Sequence, residues 1–231
     1  MNRPISILFF IFIFVGLGMI ARSLLNQLGC EGQPINNNVS PTQSQQIWGD
    51  RIISQSFVAP RSYLNHVDIL FQTYRRQNTH DVTFRLLEAP AGDKDPLAGV
   101  ELYKRTFNAA SIRDQFWHTF SFPPIADSAG KIYVISLQSP ESVEGDALTV
   151  GGIERNVYVP GTAFLGPIPV PADITFRACF QMSTMERLRV LSEQITRTRP
   201  GLLSEITFYV STLMAYVLLL IGFFWQVTRL P

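Results

Sequence analysis

Charge is scarce in this 231-residue chain: only 16% of its residues are Asp, Glu, Lys or Arg, against roughly 25% in an average soluble domain. The 19 basic and 18 acidic residues nearly cancel, giving +1. No block of like charge occurs, so the electrostatic case for a nucleic-acid partner is absent. Internal repeats and long low-complexity tracts are missing too, which removes solenoids and fibrous proteins. Two cysteines and three histidines are too few and too scattered for CxxC or HExxH metal chemistry. A nucleophile elbow, a P-loop and a dinucleotide fingerprint are likewise lacking. The sequence is therefore read as non-catalytic and free of cofactors. Catalytic residues that converge only in space, as in an envelope enzyme, remain the weaker reading.

What is abundant is apolar sequence, 46% of the chain, and much of it lies in two terminal blocks. Ile5 to Ala21 is an apolar run between Arg3-Pro4 and Arg22, about 26 Å long as a helix and just enough for a bilayer core. It reads as an uncleaved anchor. A secretory signal peptide opens in the same way, but Met19 would stand at the small −3 position of a cut after Ala21. Ile206 to Val227 carries no charge and would span about 33 Å. Tyr209 and Trp225 sit near its ends as interfacial aromatics would. Thr207, Ser211, Ala215 and Gly222 put small side chains on one face, either a helix-packing surface or the ordinary small-residue content of membrane helices.

These blocks divide the chain into a transmembrane helix at 1–22, a polar tether at 23–46 and a β-domain at 47–181. An amphipathic helix with a break follows at 182–201, then a second transmembrane helix and short tail at 202–231. Both termini fall on one side of the membrane. Flanking arginines lean towards a cytoplasmic central domain, but that rule loses force for loops beyond about 60 residues. Composition and the resemblance described below favour the opposite orientation, with termini cytoplasmic and the middle extracytoplasmic.

Between the blocks the hydrophobic period is two. Val82, Phe84 and Leu86 alternate with Asp81, Thr83 and Arg85. Ile174, Phe176, Ala178 and Phe180 alternate with Thr175, Arg177, Cys179 and Gln181. Phe116, Phe120 and Phe122 share a phase opposite Trp117 and Thr119, and Val67, Ile69 and Phe71 oppose Asp68 and Gln72. Further strands are predicted at 51–58, 99–107, 131–138 and 146–150. About eight short antiparallel strands separated by turn clusters predict an all-β sandwich of jelly-roll type. Pro160 to Pro171 holds four prolines and cannot pair as a central strand, so it belongs at a sheet edge or in a partner. Ser183 to Arg199 has Met185, Leu188, Leu191 and Ile195 on one stripe, a helix for a membrane surface or for the underside of the sandwich.

His118 follows the core phase of its strand and reads as a buried histidine. The pairs Asp93/Asp95 and Glu144/Asp146 fall in loops, as solvated turn residues or as a calcium site. Cys30 and Cys179 have three open fates: two unpaired thiols, a disulfide tying the tether to the last strand, or lipidation of Cys30, for which Gln27-Leu28-Gly29 is a poor leader. Trp117 lies on the face away from the core. With Trp48, Tyr103 and Tyr158 it is the candidate for glycan stacking or a protein interface, the alternative being that it packs beneath a loop.

The tract from about Ser54 to Phe180 resembles a jelly-roll-like domain found in bacterial membrane proteins, some of glycosyltransferase type. The resemblance is carried by 64–71 (LNHVDILF), 78–86 (NTHDVTFRL), 117–125 (WHTFSFPPI), 127–133 (DSAGKIY) and Ser139-Pro140, and it covers slightly over half the chain. It implies an extracytoplasmic sandwich similar to carbohydrate-binding modules and supplies no catalytic residues. The chain departs from that pattern in having two apolar segments and no attached enzyme. The expectation is a two-pass protein of a bacterial cell membrane acting as an accessory or scaffold subunit, its partners being the bilayer and other membrane subunits. The alternative is a membrane-tethered glycan-binding module. A regulator of polysaccharide chain length would share the two-helix layout but would have a helical middle.

Overall fold

The computed structural model describes residues 15, 16, 18, 19, 30–32, 43–89, 98–153, 155–197 and 206–229. Two compact units divide the chain, Gly29–Gln181 and a second unit of Met1–Leu28 with Met182–Pro231. The first is a β-sandwich of thirteen strands among the described residues: β1 Cys30–Gly32, β2 Gln43–Ile47, β3 Ile52–Val58, β4 Leu64–Gln72, β5 Asp81–Glu88, β6 Val100–Asn108, β7 Phe116–Ile125, β8 Ile132–Gln138, β9 Leu148–Ile153, β10 Ala163–Leu165, β11 Ile168–Val170, β12 Asp173–Ile174 and β13 Phe176–Phe180. Every pairing is antiparallel.

One sheet is six-stranded, in the order β11-β10-β3-β8-β5-β6. In the seven-stranded sheet β4 is the hub. It carries β7 along one side, with β13 and then β9 along the other, because β13 pairs Leu64–Ile69 while β9 pairs only Phe71 and Gln72. The core forms where the alternating faces meet. Phe57 packs on Phe176 at 5.5 Å between ring centroids, and Phe84 stacks on Phe120 at 4.0 Å. Both contacts join a residue of the smaller sheet to one of the larger. Val67, Ile69, Phe71, Phe84, Leu86, Ile135, Leu137 and Phe176 are fully buried. Burial pushes the Tyr133 hydroxyl up to about 12.

A polar bridge crosses this core. Gln55 of β3 donates from Nε2 to Asp173 Oδ1 at 3.2 Å and accepts from Ile174 N–H at 3.0 Å. The other Asp173 oxygen accepts from Val157 N–H at 2.6 Å and Tyr158 N–H at 2.8 Å. Asp173 is only 1% exposed, and the three bonds from Gln55, Val157 and Tyr158 satisfy the carboxylate in an apolar setting.

Thirteen strands exceed the eight or so that the hydrophobic period predicts. Two of the extra strands come from the predicted tether: β1 lies inside it and pairs β13, and β2 begins in it at Gln43, ends on Ile47 of the predicted β-domain and pairs β9. Both are polar, and they join the sheet through backbone pairing, which leaves no alternating pattern in the sequence. The Pro-rich segment folds as the β10–β11 hairpin at the edge of the smaller sheet, where Pro169 needs no ladder donor. Gly166 makes its turn with φ of 59°, and its N–H donates to Ile52 O at 2.7 Å.

In the second unit, α1 (Thr184–Arg197) and α2 (Ile206–Arg229) are helical. Ser183 and Glu186 form a reciprocal capping box at the start of α1: Ser183 N–H donates to the carboxylate at 2.9 Å, and Glu186 N–H donates to the serine hydroxyl at 3.2 Å. Met185 and Leu188 of its apolar stripe are exposed, while the side chain of Ile195 lies outside the described residues. In α2 the described side chains are those of 207, 208, 211–220, 222 and 226. Thr207, Ser211, Ala215 and Gly222 are exposed, as are Leu213, Met214, Tyr216, Leu218 and Leu219. Among the described residues no helix is long and apolar enough to cross a membrane. Of the first apolar block, Val15, Gly16, Gly18 and Met19 are helical, and the remainder lies outside the described residues.

Candidate functional site

The four aromatics singled out in the sequence do not form one platform. Trp117 takes the outer side of β7, as its phase implies, but the Arg177 guanidinium lies over its ring at 4.0 Å. Tyr103 packs edge-on to Phe84 and against Phe122. Tyr158 sets its ring edge-on to Phe176 and donates its hydroxyl to Val58 O at 3.3 Å. Trp48 lies under Arg51 at 4.5 Å, and its indole N–H is buried without a protein partner among the described residues.

Tyr63, just before β4, is one exposed ring; two more lie together at one end of the sandwich. Tyr74 and Phe116 are 54% and 57% exposed. Phe116 shares the core phase of β7 but begins the strand, beyond the reach of the opposite sheet. Asp114 fastens the loops that carry the two rings: its Oδ1 accepts from Thr73 N–H at 2.7 Å and Tyr74 N–H at 3.2 Å. These donors, led by Thr73, hold the Asp114 carboxyl below the usual carboxylate range. Tyr74, Arg75 and Gln115 all have left-handed backbones, with φ of 52°, 59° and 53°. A non-glycine residue there costs about 1–3 kcal/mol and persists only where its surroundings enforce it. Each exposed ring also carries an arginine, Arg76 at 5.5 Å from Tyr74 and Arg113 at 5.9 Å from Phe116. Arg76 is in turn fixed by Thr73 O and Thr149 Oγ1. Rigid aromatic rings with stacked arginines are the composition of an interface hot spot. No hydrophobic period marks this end, because backbone strain is not written in the sequence. The usable signal was Tyr74-Arg75-Arg76 and Arg113 beside Phe116, each at the end of a predicted strand.

A second polar cluster lies on the outer side of the larger sheet. The register places Arg177, Asp68 and Thr119 in one row across β13, β4 and β7, with Cys179, His66 and Ser121 in the next. Thr119 donates to Asp68 Oδ1 at 2.6 Å. Cys30 stands opposite Cys179 in register, and the two sulfurs are joined in a disulfide. Cys179 thus faces away from the core, as the sequence implied, yet is 1% exposed. Of the three fates open to the cysteines in the sequence, the structure holds the disulfide and not two unpaired thiols; β1 covers that face. His66 sits beside the disulfide with Nδ1 2.9 Å from Asn65 Oδ1. Burial lowers its pKa below the ordinary imidazole value, and neighbouring Asp68 opposes the shift.

The remaining candidates serve the fold. His118 stacks on Phe107 at 5.1 Å and meets Phe120 edge-on at 4.8 Å, with Nε2 lacking a protein partner among the described residues. Burial lowers its pKa, Arg105 adds to the effect and Asp68 opposes it. His80 Nδ1 binds Asp146, which also accepts from Thr79 N–H at 2.8 Å. Burial would raise the Asp146 pKa, but the bonds from His80 and Thr79 outweigh it and lower the value. Asp146 is thereby committed to the 79–80 turn. Asp93 and Asp95 lie outside the described residues. A cavity beside Ile53, Ala163 and Ile174 measures about 10 Å³, room for one water at most.

No protein-family model matches this chain, and no curated protein matches it in sequence.

Proposed function

We propose that this chain is a membrane-anchored, non-catalytic docking subunit of a larger membrane assembly, and that its β-sandwich binds a partner subunit through the Tyr74–Phe116 end. One observation carries this reading: two exposed aromatic rings, each under an arginine, on loops that Asp114 locks into strained backbone. Strain of this kind is retained where a surface must be held in one shape before it binds, which lowers the ordering cost of association. The arginine bias of the chain, sixteen against three lysines, fits the same use. Four of those arginines stack on aromatic rings, contacts that suit guanidinium better than ammonium.

Anchoring rests on the terminal apolar blocks. The helical span Ile206–Arg229 would reach about 36 Å, and from Ile206 to Val227 its sequence is uncharged. The exposed leucines from Leu213 to Leu219 would form an apolar surface that water does not favour. The disulfide supports an oxidising, extracytoplasmic location for the sandwich, with both termini cytoplasmic. The face of Trp117 is taken by Arg177, so a glycan would have to use Tyr74 and Phe116 instead.

The test compares the full chain with Tyr74→Ala/Phe116→Ala after extraction in mild detergent. A stoichiometric protein partner should accompany the parent and be lost from the variant, while circular dichroism stays unchanged. Retention of the partner by the variant, a monomeric parent, or specific glycan binding without a protein partner would overturn the reading.

A further inference from the structure

Cys30 Sγ, Cys179 Sγ, one His66 ring nitrogen and one Asp68 carboxylate oxygen all lie within 4.8 Å of one another. We propose that this cluster is a redox-gated zinc site: closed to metal while the disulfide stands, and a four-donor Zn²⁺ site once it is reduced. The donor set is two thiolates, an imidazole and a carboxylate, the chemistry that tetrahedral structural zinc uses.

The surroundings supply the outer contacts that orient such ligands. With its proton on Nδ1, facing Asn65 Oδ1 at 2.9 Å, His66 keeps the Nε2 lone pair for a metal. Asp68 has Oδ1 held by Thr119 Oγ1 at 2.6 Å, while Oδ2 lies 3.9 Å from Cys179 Sγ. Arg177, opposite Asp68 in register, places its guanidinium over Trp117. The three strands that carry the donors are β1, β4 and β13, and β4 with β13 form part of the central pairing of the larger sheet. Two ligands, His66 and Asp68, therefore stay in place whatever happens to the disulfide.

The chemistry balances with a dithiol as reductant. The reductant supplies two electrons and two protons and leaves as its own disulfide, while the protein S–S bond becomes two S–H groups. Zinc then displaces both thiol protons, so binding releases two protons at neutral pH. All four positions are filled by the protein, which makes the site structural: zinc would hold β1 on β13 in reducing surroundings, as the covalent bond does in oxidising ones.

The test uses the full chain in detergent, reduced with dithiothreitol and desalted without oxygen, then titrated with Zn²⁺ alone or with Co²⁺ as its spectroscopic substitute. The reduced chain should bind about one metal ion with thiolate–cobalt charge-transfer absorption, release two protons, and have both thiols shielded from maleimide. The oxidised chain should bind none. His66→Ala and Asp68→Asn should each weaken binding by at least about 10-fold, and His80→Ala should leave it unchanged. Sub-stoichiometric binding, equal binding by oxidised and reduced protein, or equal affinity in the His66 and Asp68 variants would overturn the proposal. The comparison of oxidised with reduced parent needs no variant to fold.

Discussion

Replacing both cysteines, Cys30→Ser with Cys179→Ser, removes a bond between residues 149 positions apart. Closing so long a loop subtracts a large entropy from the unfolded chain, worth about 5 kcal/mol at 25 °C in the chain-entropy treatment. Native-state contacts add little on top, because β1 has three residues and pairs only β13. Residual structure in the unfolded chain reduces the effect, so a loss of about 2–5 kcal/mol is expected. Urea unfolding in detergent, followed by the fluorescence of Trp48 and Trp117, measures it. With m of about 2 kcal/mol/M, the midpoint should fall by roughly 1–2.5 M. Reduced parent protein without metal should unfold close to the double variant. A shift below about 0.5 kcal/mol, or maleimide-reactive thiols in the unreduced, unfolded parent, would refute the reasoning.

Other expectations follow from individual contacts. His118 has a lowered folded pKa, so the unfolded chain takes up protons first; its contribution to stability is complete above about pH 6.5 and is lost as pH falls through the folded value. His118→Phe should flatten part of that acid loss, leaving the share due to His66, and should stabilise the sandwich near pH 5 by about 1 kcal/mol in urea titrations. Gly161→Ala would bring a Cβ to 1.9 Å from Ser56 O and should cost on the order of 3 kcal/mol in thermal unfolding. Asp173→Ala strands the donors of Gln55, Val157 and Tyr158, and a loss of about 3 kcal/mol by urea unfolding is expected. Asp114→Ala should leave global stability within about 1 kcal/mol yet raise hydrogen exchange at Thr73 and Tyr74.

Strands with one buried face were legible in the sequence. Val82, Phe84 and Leu86 mark β5, and Phe176, Ala178 and Phe180 mark β13, because packing against the opposite sheet demands apolar side chains at every second position. β1 and β2 were not legible, since backbone pairing attaches them and 43–46 reads like a tether; only Ile47 at the end of β2 fell within the predicted β-domain. The same blindness left the Cys30–Cys179 disulfide as one of three open fates: Cys179 was correctly placed facing away from the core, but what covers it comes from a segment without a pattern. Trp117 was also placed on the correct face, yet its partner Arg177 lies 60 positions away in the chain, and only the β4-centred register brings them together. The Tyr74–Phe116 end depends on left-handed backbone at three ordinary residues, a property that composition does not carry.

Site-specific photo-crosslinking in native membranes tests docking through the Tyr74–Phe116 surface most directly. A photoreactive residue at position 74 or 116 should give one discrete adduct with another protein, and the same substitution at exposed Ile168 on the β10–β11 edge should give none. Adducts that are absent from 74 and 116, or no different from those at 168, would contradict it.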